Sequence, residues 1–468
     1  MRKTKIVCTI GPASSPPGVV RRLVPLVDVF RINFSHGDRG SHIHEVATIR
    51  AEARRGGKII AILQDLPGPK IRVGRMSGGV ANLPTGSQVV LTSAPVEGSA
   101  SLVPIGNPDL LTSVARGNIL YIADGIIRLR VEETVAAGVR CTVLAGGVLS
   151  SGKGVNAPGV KLKIRYPTEK DVEHLRLGLR MGFDYVAMSF VRTPSDVRAV
   201  RKLLPPCGPK LIAKIEKKEA VQNLQEILDE SDGAMVARGD LGIEVPIETV
   251  PAIQKEIIRR CSSAGKPVIV ATQMLLSMVN SPVPSRAEVT DVSTAILDGT
   301  DAVMLSEETT VGRYPVEAVR MLDRIARFTE RSLPSYGPAP SETETEDTGS
   351  AIARAACRLA DYVKAKAIVA PTKTGSTARR VSMYHPRQPI VAICTDNRVA
   401  RELKLYWGVI PVLSRSAKTI DWLFERADSA AEELGIAEKG DRIVVTSGMP
   451  GMKGTTNLIK VSVVGSPA

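Results

Sequence analysis

The stretch "KLIAKIEKKEAVQNLQEILDESDGAMVARGD" (residues 210–240) decides the architecture. An aliphatic run, KLIAKIE at 210–216, leads into a segment of helical period, AVQNLQEILDES, and then into a second aliphatic run, GAMVARGD at 233–240. Two strands joined through a helix pair in parallel, because a parallel pair needs a crossover of about a dozen residues or more. The same alternation extends outward in both directions. TKIVCTIG (4–11), VDVFRINFS (27–35), KIIAILQDL (58–66), FDYVAMSFV (183–191), PVIVATQM (267–274) and DAVMLSEE (301–308) raise the count to eight. An open doubly wound sheet would show the same texture, but eight strand-then-helix units are the count of a closed (β/α)8 barrel. The expected class is α/β, with a TIM barrel as its centre.

The series is broken once. Between residues 70 and 164 the chain turns to short alternating strands and Gly/Pro turns, as in LPTGSQVVLTS and GNILYIADGIIRLRVEET. This is an inserted all-β lid domain, leaving the barrel to residues 1–69 and 165–333. Its position after the third strand puts it on the face where barrel active sites lie. PSYGPAPSETETEDTGS then reads as a linker over 334–349. Residues 350–468 begin a second α/β series, with strands at AIVAPT, PIVAICT, RIVVTSG and KVSVVG, expected to form a parallel-sheet regulatory domain.

Aromatics make up only 3% of the 468 residues, so the cores are aliphatic. A net charge of +14 points to an anionic partner. Nucleic acid and small phosphates are both candidates. The arginines, however, are spread along helices, with no lysine-rich tail and no basic run interleaved with aromatics, which favours an arginine-rich solvated surface as the source of most of the charge and argues against nucleic acid. Six cysteines lack any metal-type spacing and read as reduced thiols. No apolar run reaches the roughly 18 residues of a membrane span. The charged start MRKTKIVCTIG has no signal-peptide core, so a cytoplasmic location is expected.

Catalytic groups in a barrel belong at the C-terminal ends of strands. Arg31, Asn33 and Ser35 share one face at the end of the second strand, and Asp65 ends the third. Lys214 and Glu216 are co-facial on the fifth. Arg238, Gly239 and Asp240 end the sixth, Thr272 and Gln273 the seventh, and Ser306, Glu307 and Glu308 the eighth. Glu216 and Asp240 suit a hard divalent cation, Arg31 and Lys214 would neutralise a phosphoryl group in transfer, and the RGDLG turn can aim N–H groups at an anion. The residue types point to metal-assisted phosphoryl chemistry.

TKIVCTIGPAS, FRINFSHG, AKIE, VARGDLGIE, ATQML and RAEVTDVSTAILDGTDAVMLSEET, in this order and from residue 3 onward, closely resemble the pyruvate kinase family. The resemblance implies phosphoryl transfer from phosphoenolpyruvate to ADP, giving pyruvate and ATP with Mg2+ or Mn2+ as cofactor, in a homotetramer. Carried over by position, Arg31 binds the phosphoryl group, Lys214 stabilises it in flight, and Glu216 and Asp240 hold the metal. Gly239, Asp240 and Thr272 seat the substrate, and Thr272 assists enolate protonation. Asn33, Ser35, His36, Arg72 and Lys153 fall on the nucleotide side. Thr372, Lys373, Thr374, Gly375, Ser376 and Thr377 match a loop that in relatives holds the phosphate of a sugar-phosphate or AMP effector.

Two departures stand out. Glu307 occupies a glycine position of the family. In LQDLPGPKIRVG (63–74), Leu66, Pro67, Lys70 and Val73 replace the DTKGPEIRTG pattern of relatives that need K+. That resembles the K+-independent branch, with the Lys70 ammonium serving the shell otherwise built by Asn33, Ser35, Asp65 and the Leu66 carbonyl, so no K+ is expected to be required. A metal-dependent lyase or aldolase barrel would share the carboxylates but would not need Lys153 in a lid.

Overall fold

The eight aliphatic runs close on themselves. The computed structural model describes residues 1–160, 162, 164–333, 347–415, 419–448 and 456–466. Its barrel strands are β1 (Lys5–Thr9), β2 (Val29–Asn33), β3 (Ala61–Leu66), β4 (Tyr185–Met188), β5 (Lys210–Ile215), β6 (Gly233–Ala237), β7 (Val268–Ala271) and β8 (Ala302–Leu305). Neighbours pair in parallel and β8 returns to β1, which excludes the open sheet. Nearly every strand residue is buried, because helices cover the outer face and side chains fill the interior. Val7, Val29, Leu63, Tyr185, Ile212, Met235, Ile269 and Met304 pack inside the barrel.

A fourfold pattern organises the barrel floor. Asp28, Asp184, Asp232 and Asp301 each precede an even-numbered strand. Each carboxylate accepts the backbone N–H of a residue on a neighbouring odd strand: Ile6 at 3.1 Å, Ile62 at 2.8 Å, Leu211 at 2.8 Å and Val268 at 2.9 Å. These aspartates fix the register at the end opposite the catalytic rim. Three of them also receive the C-terminal domain, through Lys404 on Asp28 at 2.7 Å, Arg401 on Asp184 at 2.6 Å, and the Trp407 N–H on Asp301 at 3.2 Å. Leu405 joins the interior cluster of the barrel and stoppers the floor.

The insertion after β3 carries a seven-stranded sheet and a two-stranded ribbon around its own core of Leu83, Leu91, Leu120, Ile127, Leu129 and Leu149. One short helix, Pro108–Ser113, interrupts the all-β pattern, started by the Asn107 side chain accepting from Asp109 N–H at 2.8 Å. The C-terminal sheet is a layer between helices, with Thr348–Tyr362 on one side and Ile420–Glu433 on the other. Its strands are Ile368–Val369, Ile390–Cys394, Val409–Leu413, Arg442–Ser447 and Leu458–Val463. Val409–Leu413 escapes the sequence reading because Pro411 interrupts it; it lies at the sheet edge, where a proline is tolerated. The final strand runs antiparallel, so the sheet is parallel except at that edge. The expected linker lies almost wholly outside the described residues. Five cysteines are buried and Cys207 is exposed. Among the described residues, no helix is long and apolar enough to cross a membrane.

Candidate active site

Charge is concentrated where β2, β3, β4 and β5 end. Asp65, 1% exposed, is the hub. Its Oδ2 accepts from Arg31 Nε at 2.7 Å, and its Oδ1 from Lys214 Nζ and Ser189 Oγ, both at 3.2 Å. Lys214 donates to Ser189 Oγ at 2.7 Å and stands 2.9 Å from Glu216 Oε1. Arg31 also donates to Thr9 Oγ1 at 3.0 Å, and the other Glu216 oxygen accepts the Phe190 N–H at 2.9 Å. Alternation along each strand explains the convergence, since residues two apart point to the same side.

Burial opposes every charge in this cluster, and the neighbours decide the outcome. For Lys214, burial is outweighed by Asp65 and Glu216, and the ammonium titrates above its ordinary value. For Asp65, burial is outweighed by Lys214 and Arg31, and the carboxyl lies below the usual range. Glu216 goes the other way. Burial, reinforced by the charge of Asp240, lifts it despite Lys214. Its buried Oε1 has no aligned hydrogen bond and faces the Lys214 ammonium at 2.9 Å. Among the described residues no three His, Cys, Asp or Glu side chains form a cage. Two carboxylates, Glu216 and Asp240, fit a Mg2+ or Mn2+ ion that takes its remaining ligands from substrate and water.

The lid brings further cations to the rim. Its strand Ile71–Arg72 pairs with Gly154–Asn156, so Arg72 and Lys153 stand together, with Arg72 donating to the Gly152 carbonyl at 2.9 Å. Lys153 is exposed. Burial and the charges of Arg72, Arg31 and Lys70 hold His36 below its ordinary value. The structure does not bring Lys70 to the set of Asn33, Ser35, Asp65 and Leu66. Its Nζ pairs with Asp240 Oδ1 at 3.3 Å. Asp65 is already occupied by Arg31, Lys214 and Ser189, and the Lys70 stem passes close over Gly154, where an added Cβ would lie 3.1 Å from Cε. Asn33 Oδ1 accepts from the Ser35 N–H at 3.0 Å, and Leu66 is buried at the end of β3.

Thr272 and Gln273 turn the chain out of β7 with φ of 70° and 55°. The Thr272 hydroxyl accepts from the Gly239 N–H at 2.9 Å, so that N–H faces a side chain rather than open space. Glu308, fully buried, accepts the Leu275 and Ser306 N–H groups at 2.9 and 2.8 Å and ties the β7 and β8 loops together. Glu307 is exposed, and nothing in the structure explains it. In the C-terminal domain, Thr372 to Thr377 do connect a strand to a helix, Ser376–Ser382. Lys373 and Thr374 are exposed, but the Thr372 hydroxyl takes the Gly375 N–H at 2.9 Å and Thr377 is buried against Thr456 at 2.9 Å.

The family model described as pyruvate kinase, barrel domain, matches residues 1–319, and the pyruvate kinase alpha/beta domain model matches 350–462. The chain belongs to the pyruvate kinase family. It is similar to pyruvate kinase 2 of Synechocystis sp., at 46% identity over 99% of this chain and 79% of that protein. It is also similar to the pyruvate kinases of Geobacillus stearothermophilus, at 45% over 99% and 80%, and Sporosarcina psychrophila, at 43% over 99% and 81%. Pyruvate kinases are transferases of glycolysis, so this chain is an enzyme. Ser189 and Thr9 were not among the candidates. Ser189 was within reach of the same rule that found the others, as it ends the fourth strand in YVAMSF.

Proposed function

We propose that this rim transfers the phosphoryl group of phosphoenolpyruvate to ADP, giving ATP and pyruvate. The observation that carries the reading is the gathering of Arg31 and Lys214 on Asp65 beside Glu216. Arg31 holds the phosphoryl oxygens, and Lys214 follows the charge as the P–O bond to the enol oxygen breaks and a bond to the terminal ADP oxygen forms. The released enolate takes a proton at its methylene carbon. Thr272 would assist by turning its hydroxyl from the Ala271 carbonyl and relaying a proton that water then replaces, and Gly239 and Asp240 would seat the carboxylate. A Mg2+ or Mn2+ ion between Glu216 and Asp240 would add positive charge at the phosphoryl oxygens.

Residues 70–164 act as the lid. Arg72 and Lys153 meet the nucleotide phosphates together with Asn33, Ser35 and His36, and closure excludes water. Lys70 supplies a fixed ammonium beside Asp240 rather than in the shell of Asn33, Ser35, Asp65 and Leu66. Activity without K+ stays part of the reading on the resemblance of Leu66, Pro67, Lys70 and Val73 to the K+-independent branch. The loop Thr372–Thr377 is the candidate seat of an effector phosphate, with Lys373 and Thr374 its open groups. A cytoplasmic homotetramer completes the proposal, and sedimentation of the purified chain tests the subunit count. The direct test is ADP-dependent formation of pyruvate from phosphoenolpyruvate with Mg2+ present. No pyruvate would overturn the reading. Sugar phosphates and AMP that leave the rate unchanged at subsaturating phosphoenolpyruvate would remove the effector site alone.

A further inference from the structure

We infer that Arg238, anchored by Asp291, is a positioning residue that holds Thr272 in the backbone conformation its chemistry requires. The inference rests on the reading of Thr272 as the group that delivers the proton.

A β-branched side chain disfavours positive φ, because its Cβ substituents crowd the backbone. Thr272 nevertheless adopts φ of 70°, and Gln273 follows at 55°. Two consecutive non-glycine residues in the left-handed region persist only where the surroundings over-determine them. Arg238 supplies that determination. Its NH2 donates to the Thr272 carbonyl at 2.7 Å, and lies 3.4 Å from the Gln273 carbonyl and 2.9 Å from Met274 Sδ. Its NH1 donates to Asp291 at 2.7 Å, and the arginine side chain is 13% exposed. The next residue, Gly239, gives its N–H to the Thr272 hydroxyl at 2.9 Å, and that hydroxyl donates to the Ala271 carbonyl at 2.6 Å. Backbone and hydroxyl of one threonine are therefore gripped by two successive residues at the end of β6. From the other side, Glu308 holds the Leu275 N–H at 2.9 Å.

Asp291 lies on the helix Arg286–Leu297 and fixes the guanidinium from outside the rim. The planar fork of arginine spans carbonyl and carboxylate at once, which the single ammonium of lysine does not reproduce. Without the fork, the turn relaxes toward negative φ and carries the hydroxyl away from the enolate.

The test is a double-mutant cycle on the full-length enzyme with kcat, KM and solvent-deuterium entry into the pyruvate methyl group as readouts. We expect R238M to lower kcat about 10- to 100-fold, each tenfold step being about 1.4 kcal/mol, with the KM for phosphoenolpyruvate changed less than about threefold. Methyl exchange should fall in parallel. R238K should fall between R238M and the parent, and D291N should show a smaller loss of the same kind. The double variant R238M/T272A should be no slower than T272A alone. A merely structural role would lower the yield of folded enzyme and its melting temperature while leaving kcat per folded molecule intact. If R238M does not fold, R238K and D291N carry the cycle. Additive losses in the double variant, or unchanged kcat and exchange in folded R238K and D291N, overturn the inference while leaving the Thr272 reading in place. A T272A enzyme of full activity overturns both.

Discussion

Replacing Lys70 by methionine removes the ammonium on which the proposed K+ independence turns while keeping most of the side-chain volume. Lys70 Nζ lies 3.3 Å from Asp240 Oδ1, with the two side chains 25% and 24% exposed. Bare Coulomb attraction at that distance is about 5 kcal/mol at an effective dielectric of about 20. Solvent access and the entropy of the lysine stem reduce this, as for other partly exposed pairs, and about 1–2 kcal/mol remains. That range is a factor of about 5–30 in an equilibrium or rate. K70M should therefore lose about 5- to 30-fold in kcat/KM for phosphoenolpyruvate when tetramethylammonium is the only monovalent cation. K+ should restore part of the loss in K70M and do little for the parent enzyme. The assay is pyruvate formation coupled to NADH oxidation at fixed ionic strength. A parent enzyme strongly and saturably activated by K+, or a K70M enzyme with neither loss nor K+ response, would refute the reasoning.

Other consequences follow from buried charge. Glu244, 2% exposed, binds Lys217 at 2.5 Å and the lid residue Asn156 at 3.3 Å, a link from barrel to lid. E244A leaves the half-buried Lys217 without its carboxylate, a loss of about 1–3 kcal/mol, and should lower the melting temperature and raise the KM for ADP more than that for phosphoenolpyruvate. Lys5 is buried at the barrel floor, where burial, with Lys404 and Arg2 adding to it and Asp28 opposing, lowers its pKa to about 7. The unfolded chain therefore binds the extra proton between about pH 7 and the ordinary lysine value near 10.4, and stability from this group rises with pH across that window. The melting-temperature difference between K5M and the parent should accordingly fall as pH rises from 7 to 10; a difference that stays constant would count against a depressed Lys5.

Much of this molecule can be read from its sequence, because the signals are local. Strand ends in RIN, AKIE and VARGD display their charges at spacing two, and a barrel turns all such ends toward one rim. What escaped was set by tertiary contact. Lys70 was expected at Asp65, yet Asp65 pairs with Arg31, Lys214 and Ser189 while Lys70 pairs with Asp240, and no linear pattern reports which partner a long side chain reaches. The left-handed turn at Thr272 is invisible because threonine is a poor residue for it, and it is held by contacts from Arg238, Gly239 and Glu308 that lie far off in sequence. The floor aspartates were legible in VDVF, FDYV, SDGA and TDAV, one before every second strand. They are missed when attention rests on the catalytic rim alone.

The central claim is that Lys214 stabilises the phosphoryl group as it passes to ADP, and K214M tests it most directly. Loss of a pre-positioned charge at a transition state costs about 10²–10³ in kcat. The account predicts a loss of at least that size in ADP-dependent pyruvate formation, with the folded state confirmed by a melting transition. A folded K214M enzyme within about tenfold of the parent, a deficit of only about 1.4 kcal/mol, would contradict it.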